Sequence, residues 1–286
     1  MKKTSAARLL MAGAMLAAMC VAYVHAQFGN APSKLNTIKI TDDLYVIHND
    51  FVPGNTTALI TNEGVLLVDD KFEIDFANIV AEVKKLTNQP IKYVINTHHH
   101  GDHSGSNAKM QALNAQVIAS EQARENMVDA KQSGQPTMTF DRRAHVYLGG
   151  KHVELYHFGR AHTNGDVVVL FPAQRTLAAG DMFTFGDDVP ELIDYSGGGS
   201  AKEWTPTLDS ALQLEFDTVV PGHGPLAKKT DMRKFRDSTL RFKNRVHELV
   251  IEKKSRADIE KAMRSEFHWA DLHVMRSLDG AISEMQ

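Results

Sequence analysis

The chain has a single cysteine among its 286 residues, Cys20, and it lies inside an apolar stretch near the amino terminus. A disulfide framework is therefore excluded, and so is a thiolate metal ligand anywhere beyond residue 20. Aromatics are scarce at 7%, and beyond Val24 no apolar run approaches the length of a membrane-spanning helix, about 20 residues. A surplus of positive charge is also missing, with 32 Lys plus Arg against 35 Asp plus Glu. That balance argues against a nucleic-acid partner, because such binding draws its affinity from neutralised phosphates. With 43% hydrophobic and 23% charged residues the composition is that of an ordinary packed protein, which excludes extended disorder.

The amino terminus is the exception. Lys2, Lys3 and Arg8 precede the uncharged stretch Leu9 to Val24, which closes on Val24-His25-Ala26, a small-residue pattern of the kind signal peptidase cuts. Residues 1–26 are read as a removable leader, leaving 27–286 as the mature protein, periplasmic or secreted and without stable membrane association. Met19 ahead of Cys20 speaks against a lipid anchor there. Cleavage removes three basic residues and no acidic ones, so the net charge moves from −3 to about −6. Nothing in the pattern specifies an oligomeric state.

After Gln27 the chain reads as short β-branched runs broken by Gly, Asn and Asp. Thr37–Ile40, Leu44–His48, Thr57–Thr61 and Val65–Asp69 are expected strands. Phe76, Ile79, Val80, Val83 and Leu86 repeat at helical spacing before Pro90, and Ile91–Asn96 follows as a buried strand. The second half repeats this order: strands at Lys151–Phe158, Val167–Phe171 and Thr176–Ala179, a helix over Ala201–Leu214, then a strand at Thr218–Val220. Two such halves predict an α/β fold, a four-layer αββα sandwich with helices outside two sheets. Residues 130–146 and 183–200 read as polar or glycine-rich connections. From about residue 228 the chain is helical, with Phe235, Phe242, Val246 and Leu249 on one stripe. The eight basic and two acidic residues of Lys228–Arg245 form its solvated face.

The chemistry is concentrated in Thr97-His98-His99-His100-Gly101-Asp102-His103. The pattern His-x-His-x-Asp-His should arise by chance on the order of once in 400 chains of this composition. Three imidazoles and a carboxylate crowded after a buried strand are destabilising without a compensating cation. Alternation sends His98 and His100 to one side, able to chelate one ion, while Asp102 and His103, beyond Gly101, turn toward a second. Further ligands stand at or beyond the ends of later strands: His162 in Gly159-Arg160-Ala161-His162-Thr163-Asn164-Gly165-Asp166, Asp181 in Ala179-Gly180-Asp181, and His223 in Pro221-Gly222-His223-Gly224.

This ordered set resembles that of the metallo-β-lactamase superfamily, across roughly residues 36–224. The resemblance implies that His98, His100 and His162 bind a first ion, that Asp102, His103 and His223 bind a second, and that Asp181 bridges both. It implies that Asp69, ending Leu66-Leu67-Val68-Asp69, orients a ligand. His99 points away. His48, His145, His152 and His157 are ordinary strand or surface residues, and His247, His268 and His273 belong to the helical tail. Two Zn2+ are the expected cofactors, and iron or manganese would also suit these ligands. The expected chemistry is hydrolysis of a small-molecule substrate: metal-bound hydroxide attacks a carbonyl, with Asp102 orienting it and taking its proton. The ligand set is similar to that of glyoxalase II and the lactonases, differing from β-lactamases with a cysteine ligand and from those with six ligands and no bridge. Export disfavours a cytosolic glutathione thioester, which leaves a cyclic amide or ester such as a β-lactam or lactone. Phe51 to Asn55, Asn164 and Tyr195 are the expected pocket residues. Two rival readings stay open: a mononuclear-iron oxidoreductase similar to persulfide dioxygenases, and a non-catalytic exported metal-binding subunit.

Overall fold

Alternation in one strand shows how the layers arise. In Val65–Val68, Leu66 and Val68 face a core shared by two sheets, whereas Val65 and Leu67 face a separate core under helices. The structure is a computed structural model that describes residues 31–185 and 192–286. The leader read at residues 1–26 and the middle of the 183–200 connection lie outside the described residues.

The first sheet has seven strands in chain order: β1 (Asn36–Lys39), β2 (Leu44–His48), β3 (Thr56–Ile60), β4 (Val65–Val68), β5 (Ile91–Ile95), β6 (Gln116–Ser120) and β7 (Met138–Phe140). Hairpin neighbours β1 to β4 are antiparallel. The next three strands join in parallel, each reached through helix. Helix α1 (Phe76–Leu86) links β4 to β5, the single turn α2 (Gly101–Ser104) and α3 (Asn107–Ala112) link β5 to β6, and α4 (Glu121–Asp129) follows β6. The Ser120 side chain caps α4 by accepting from Ala123 N.

The second sheet holds β8 (Arg143–Leu148), β9 (Lys151–Tyr156), β10 (Val168–Phe171), β11 (Thr176–Gly180), β12 (Thr218–Pro221) and β13 (Ala227–Lys228), ordered 13-12-11-10-9-8. Helix α5 (Ala201–Ala211) connects β11 to β12. Helices α6 (Lys229–Ile251) and α7 (Arg256–Glu266) and a short helical run to Glu284 complete the chain. Leu66, Val68 and Ile95 of the first sheet meet Leu155, Val169 and Phe171 of the second in the middle core. Trp204, Phe235 and Phe242 pack on the outside of the second sheet, and Ile79, Val83 and Met110 on the outside of the first. The molecule is thus an α/β sandwich of two mixed sheets between two helical layers. As the stripe predicts, Phe235, Phe242, Val246 and Leu249 are buried.

Two readings of the sequence need correction. Residues 130–146, taken as a polar connection, contain β7 and the start of β8. The segment hides its strands because β7 is only three residues long with just Phe140 buried, and because β8 turns Arg143, His145 and Tyr147 outward while burying Val146 and Leu148. The helix expected to run to Leu214 stops at Ala211. Among the described residues no helix is long and apolar enough to cross a membrane.

Leu67 is fully buried at the centre of the first sheet's outer core. Leu67→Ala should destabilise the fold by about 2–5 kcal/mol in urea denaturation, the range for a buried leucine that leaves a cavity.

Candidate metal centre

Strands β4 and β5 run parallel, and their ends deliver the first half of the site. Asp69 leaves β4 with φ 63°, a left-handed conformation that costs an L-residue energy, and its N–H donates to Ile95 O at 2.8 Å. Its carboxylate accepts from Thr97 N and Thr97 Oγ1, both at 2.7 Å, and from His103 Nδ1 at 2.8 Å. One buried side chain therefore fixes both the exit of β5 into the histidine run and the ring of a ligand inside it. The second sheet contributes Asp181 after β11 and His223 after β12, and Val167 N donates to Thr97 O at 2.7 Å across the sandwich.

These elements bring all seven expected ligands into two groups. His98, His100, His162 and Asp181 offer ligand atoms within 4.8 Å of one another, and so do Asp102, His103 and His223. Asp181 stands between them. Its Oδ2 lies 3.8 Å from His98 Nε2 and 3.6 Å from His162 Nε2, while its Oδ1 lies 3.2 Å from His103 Nε2 and 3.4 Å from His223 Nε2. Asp102 Oδ2 is 3.3 Å from His223 Nε2 and 3.6 Å from His103 Nε2.

Every one of the five rings is held by its other nitrogen. His98 Nδ1 meets Thr97 Oγ1 at 3.1 Å, and since that hydroxyl donates to Asp69 the ring nitrogen must donate to it. His100 Nε2 donates to Asp194 Oδ2 (2.9 Å), His103 Nδ1 to Asp69 Oδ2, His162 Nδ1 to Leu192 O (2.6 Å) and His223 Nδ1 to Phe51 O (2.8 Å). Each donation leaves the inward nitrogen of a neutral ring with a lone pair, the form a metal requires. The inward nitrogen His98 Nε2 is buried without a hydrogen-bond partner.

The charges demand a cation as well. Burial opposes protonating His223, yet the Asp181 charge and hydrogen bonds to Asp102 and Asp181 raise it to about 10. His103 likewise rises well above the usual imidazole value, burial being outweighed by Asp181, Asp102 and Asp69. His98 and His162 move the other way, His162 to about 4, chiefly through burial. Carboxylates that pull protons onto buried imidazoles are matched by divalent ions, which release those protons on binding. The residues present fit two divalent metals.

Several supporting residues carry no sequence signal. Asp194 holds His100 and is itself fixed by Ser196 N and Ser196 Oγ. Fully buried Lys71 donates from Nζ to Asn49 Oδ1 (2.7 Å) and Gly54 O (2.6 Å), where its sequence context of Asp70, Phe72 and Glu73 reads as surface. Asn55 Nδ2 donates to Pro221 O and Gly224 O, and Asn55 N to Gly222 O, so the 49–55 loop is stapled to the end of β12. His99 lies outside both groups, beside Asp194 at 3.7 Å.

The expected pocket residues divide. The Phe51 ring lies 5.2 Å from His223 and is 41% exposed, an apolar flank beside the second group. Asn164 accepts from Asn126 Nδ2 at 2.8 Å, and its N–H donates to Gly197 O. Tyr195 donates its hydroxyl to Glu284 Oε2 (3.1 Å), and its ring sits so close to Gly280 that a Cβ there would meet it at 2.1 Å. Its polar atom is committed to the C-terminal helical run, so the geometry gives it no free group to offer a substrate.

A family-wide sequence profile described as the metallo-beta-lactamase superfamily matches residues 49–223. The chain is 26% identical over 206 residues to metallo-beta-lactamase type 2 of Elizabethkingia meningoseptica, covering 68% of this chain and 81% of that protein. It is 30% identical over 141 residues to the 2,4-dinitroanisole O-demethylase subunit alpha of Nocardioides sp. (strain JS1661), covering 47% of this chain and 41% of that one. Its fold matches the solved metallo-beta-lactamase from Pontibacter korlensis with a TM-score of 0.66 at 22% identity, over 72% of this chain and 99% of that one. The chain belongs to the metallo-beta-lactamase superfamily and is a metallo-hydrolase.

The site leaves no slack around Asp181, because a Cβ added at Gly222 would lie 1.9 Å from Asp181 Oδ1. Gly222→Ala should keep the circular-dichroism spectrum of the parent but bind less than half as much metal by elemental analysis. Full metal content in that variant would show that Asp181 is not held where both groups need it.

Proposed function

We propose that the mature protein is an exported dinuclear hydrolase, zinc-loaded, that opens the carbonyl of a small cyclic amide or ester, with β-lactams and lactones ahead of other esters and thioesters. The observation that carries this reading is Asp181, one carboxylate with one oxygen turned to each ligand group. The second group, Asp102, His103 and His223, has the donors for a second ion; persulfide dioxygenases resemble hydrolases at these positions, so oxygen uptake decides between the two readings. Export rests on the leader pattern of residues 1–26.

When bound, two such ions supply Lewis acidity, polarising a carbonyl and lowering the pKa of water toward 7. The chain's residues do the positioning. His98, His100 and His162 would hold one ion, Asp102, His103 and His223 the other, and Asp181 both. Asp102, whose Oδ2 lies over His223 and His103, is placed to orient the attacking water and accept its proton. Burial raises its pKa, but the His103 charge and the hydrogen bond and charge of His223 outweigh this and hold it well below the usual carboxylate range. Phe51 supplies an apolar wall suited to a ring substrate.

The cations near these residues are already spent, which favours an acyl substrate over a phosphodiester. Arg160 donates to Gly198 O, Gly199 O and Glu203 Oε1, and Lys71 is buried on Asn49 and Gly54. The relative named for O-demethylation shows that similarity at this level does not transfer a substrate.

The test is a parallel assay of zinc-loaded mature protein on a cephalosporin, an acyl-homoserine lactone, a thioester and a phosphodiester. The cyclic acyl substrates should turn over at least about 10-fold faster than the phosphodiester, a gap of ~1.4 kcal/mol in barrier. Faster phosphodiester cleavage would overturn the substrate class. His100→Ala should lose metal and hydrolysis together, and undiminished hydrolysis by that variant would overturn the centre itself. Iron-dependent oxygen uptake with a persulfide would favour the oxidoreductase reading instead.

A further inference from the structure

The β8–β9 hairpin carries a second group of metal-ligating side chains that takes no part in the centre above. Its register sets His145 opposite Glu154 and Tyr147 opposite His152, so all four share one face. The other face, with Val146, Leu148, Val153 and Leu155, is buried between the sheets. The sharing face is therefore the outer one, on the strand that ends the second sheet. There His145 Nδ1 lies 2.7 Å from His152 Nε2, and His152 Nδ1 lies 3.8 Å from Glu154 Oε1. One ligand atom from each of the three falls within 4.8 Å of the other two.

We propose that His145, His152 and Glu154 form a separate single-ion site for a borderline divalent transition metal such as Zn2+. Three features make the group more than two neighbouring histidines. The rings are aligned before any ion arrives: His152 lies nearly parallel to Tyr147 (4.9 Å, 9°) and meets His145 edge to edge in nearly the same plane (5.0 Å, 8°), which limits the rotamer freedom that chelation would otherwise have to remove. The carboxylate is oriented as well. Glu154 Oε2 accepts from Arg143 and Tyr156, which leaves Oε1 for the ion; Oε1 lies on the Nδ1 side of His152, so the carboxylate or the ring must turn for it to join the ion held by His145 Nδ1 and His152 Nε2, within the 4.8 Å spread of the three donors. The His145 to His152 contact also brings a donor and an acceptor ring nitrogen together across one hydrogen-bonding proton at 2.7 Å. An ion that replaces this proton needs its two nitrogens about 3.3 Å apart, given bond lengths of about 2.0–2.1 Å, so the rings open by less than 1 Å. Two imidazoles and a carboxylate with room for water suit zinc, nickel or copper and fit calcium or magnesium poorly.

The site stands apart from the central ligands, so its test separates from theirs. Full-length protein is dialysed against graded free Zn2+, and bound metal is counted by elemental analysis. Wild type should bind one more ion than His145→Asn/His152→Asn, and that double variant should keep the parent's rate of hydrolysis. His100→Ala should retain the hairpin ion while losing metal from the centre. Glu154→Gln should weaken the extra ion by at least about 10-fold, since losing even a group that only orients a ligand costs about that much. Equal zinc stoichiometry in wild type and the double variant would overturn the site, and an extra ion that survives the double variant would place it elsewhere. Both histidines are on a solvent face, so circular dichroism of the double variant should match the parent.

Discussion

The Asp69 carboxylate is the constraint on which the site depends. It sits at the end of β4 in a conformation L-residues resist, and it is buried, so it needs strong partners to offset desolvation. It finds them in Thr97 N, Thr97 Oγ1 and His103 Nδ1. Burial raises its pKa in spite of these partners, a sign that the charge is held there at a cost. The same three bonds fix where β5 releases the chain, turn the Thr97 hydroxyl so that it accepts from His98, and select the tautomer of His103. A backbone strain, a strand end and two ligand orientations follow from one side chain.

The second half of the molecule answers this arrangement across the sandwich. Loop 49–55 leaves the first sheet, yet it bonds to the carbonyls of Pro221, Gly222 and Gly224 at the end of β12. The same loop supplies Phe51 O to His223. Lys71 holds it from below, and burial pushes that ammonium down to about 7 against the pull of Asp75, Asp69 and Asp102. The two sheets are therefore aligned at the site by polar bonds, while their apolar faces supply the bulk attraction. Hydrophobic contact is non-directional and would tolerate a slip of a fraction of an ångström. Hydrogen bonds of 2.6 to 2.9 Å at these carbonyls would not.

Sequence reasoning reaches the ligands because metal chemistry restricts residue type and spacing. His98, His100, Asp102 and His103 lie within six residues, and His162, Asp181 and His223 stand at or beyond strand ends with glycines close by. It also reaches most strands, because one-sided burial imposes alternation, as at Leu44–His48, recovered to the residue. It fails at β7, with one buried residue, and at β8, whose outward face is charged and aromatic, and it also misses β6, although four of its five residues are buried. The supporting shell is illegible for a different reason. Asp194, Lys71 and Asn55 act through contacts with groups 94, 17 to 22 and 166 to 169 residues away, and nothing local distinguishes such an Asp, Lys or Asn from a surface one. Tyr195 shows the converse error, since closeness in sequence to a glycine-rich loop does not say which way a ring turns.

The two histidine groups differ in the physics that fixes them, and that difference bears on how each would hold an ion. In the centre four of the five rings are buried, His100 being partly exposed, and all five donate outward to protein oxygen, so the geometry is set before metal arrives and affinity draws on preorganisation. Such a site is also a folding liability, because the Asp102 and Asp181 carboxylates lose hydration that bound cations would offset. Metal binding and folding stability are then one equilibrium, and the native sandwich gains whatever binding energy the ions deliver to it alone. On the β8–β9 hairpin the rings are ordered by stacking on Tyr147 and by solvent-side hydrogen bonds, with no buried charge to relieve. That group can stand empty without strain on the core, so an ion there would respond to free metal concentration while the central pair stays filled.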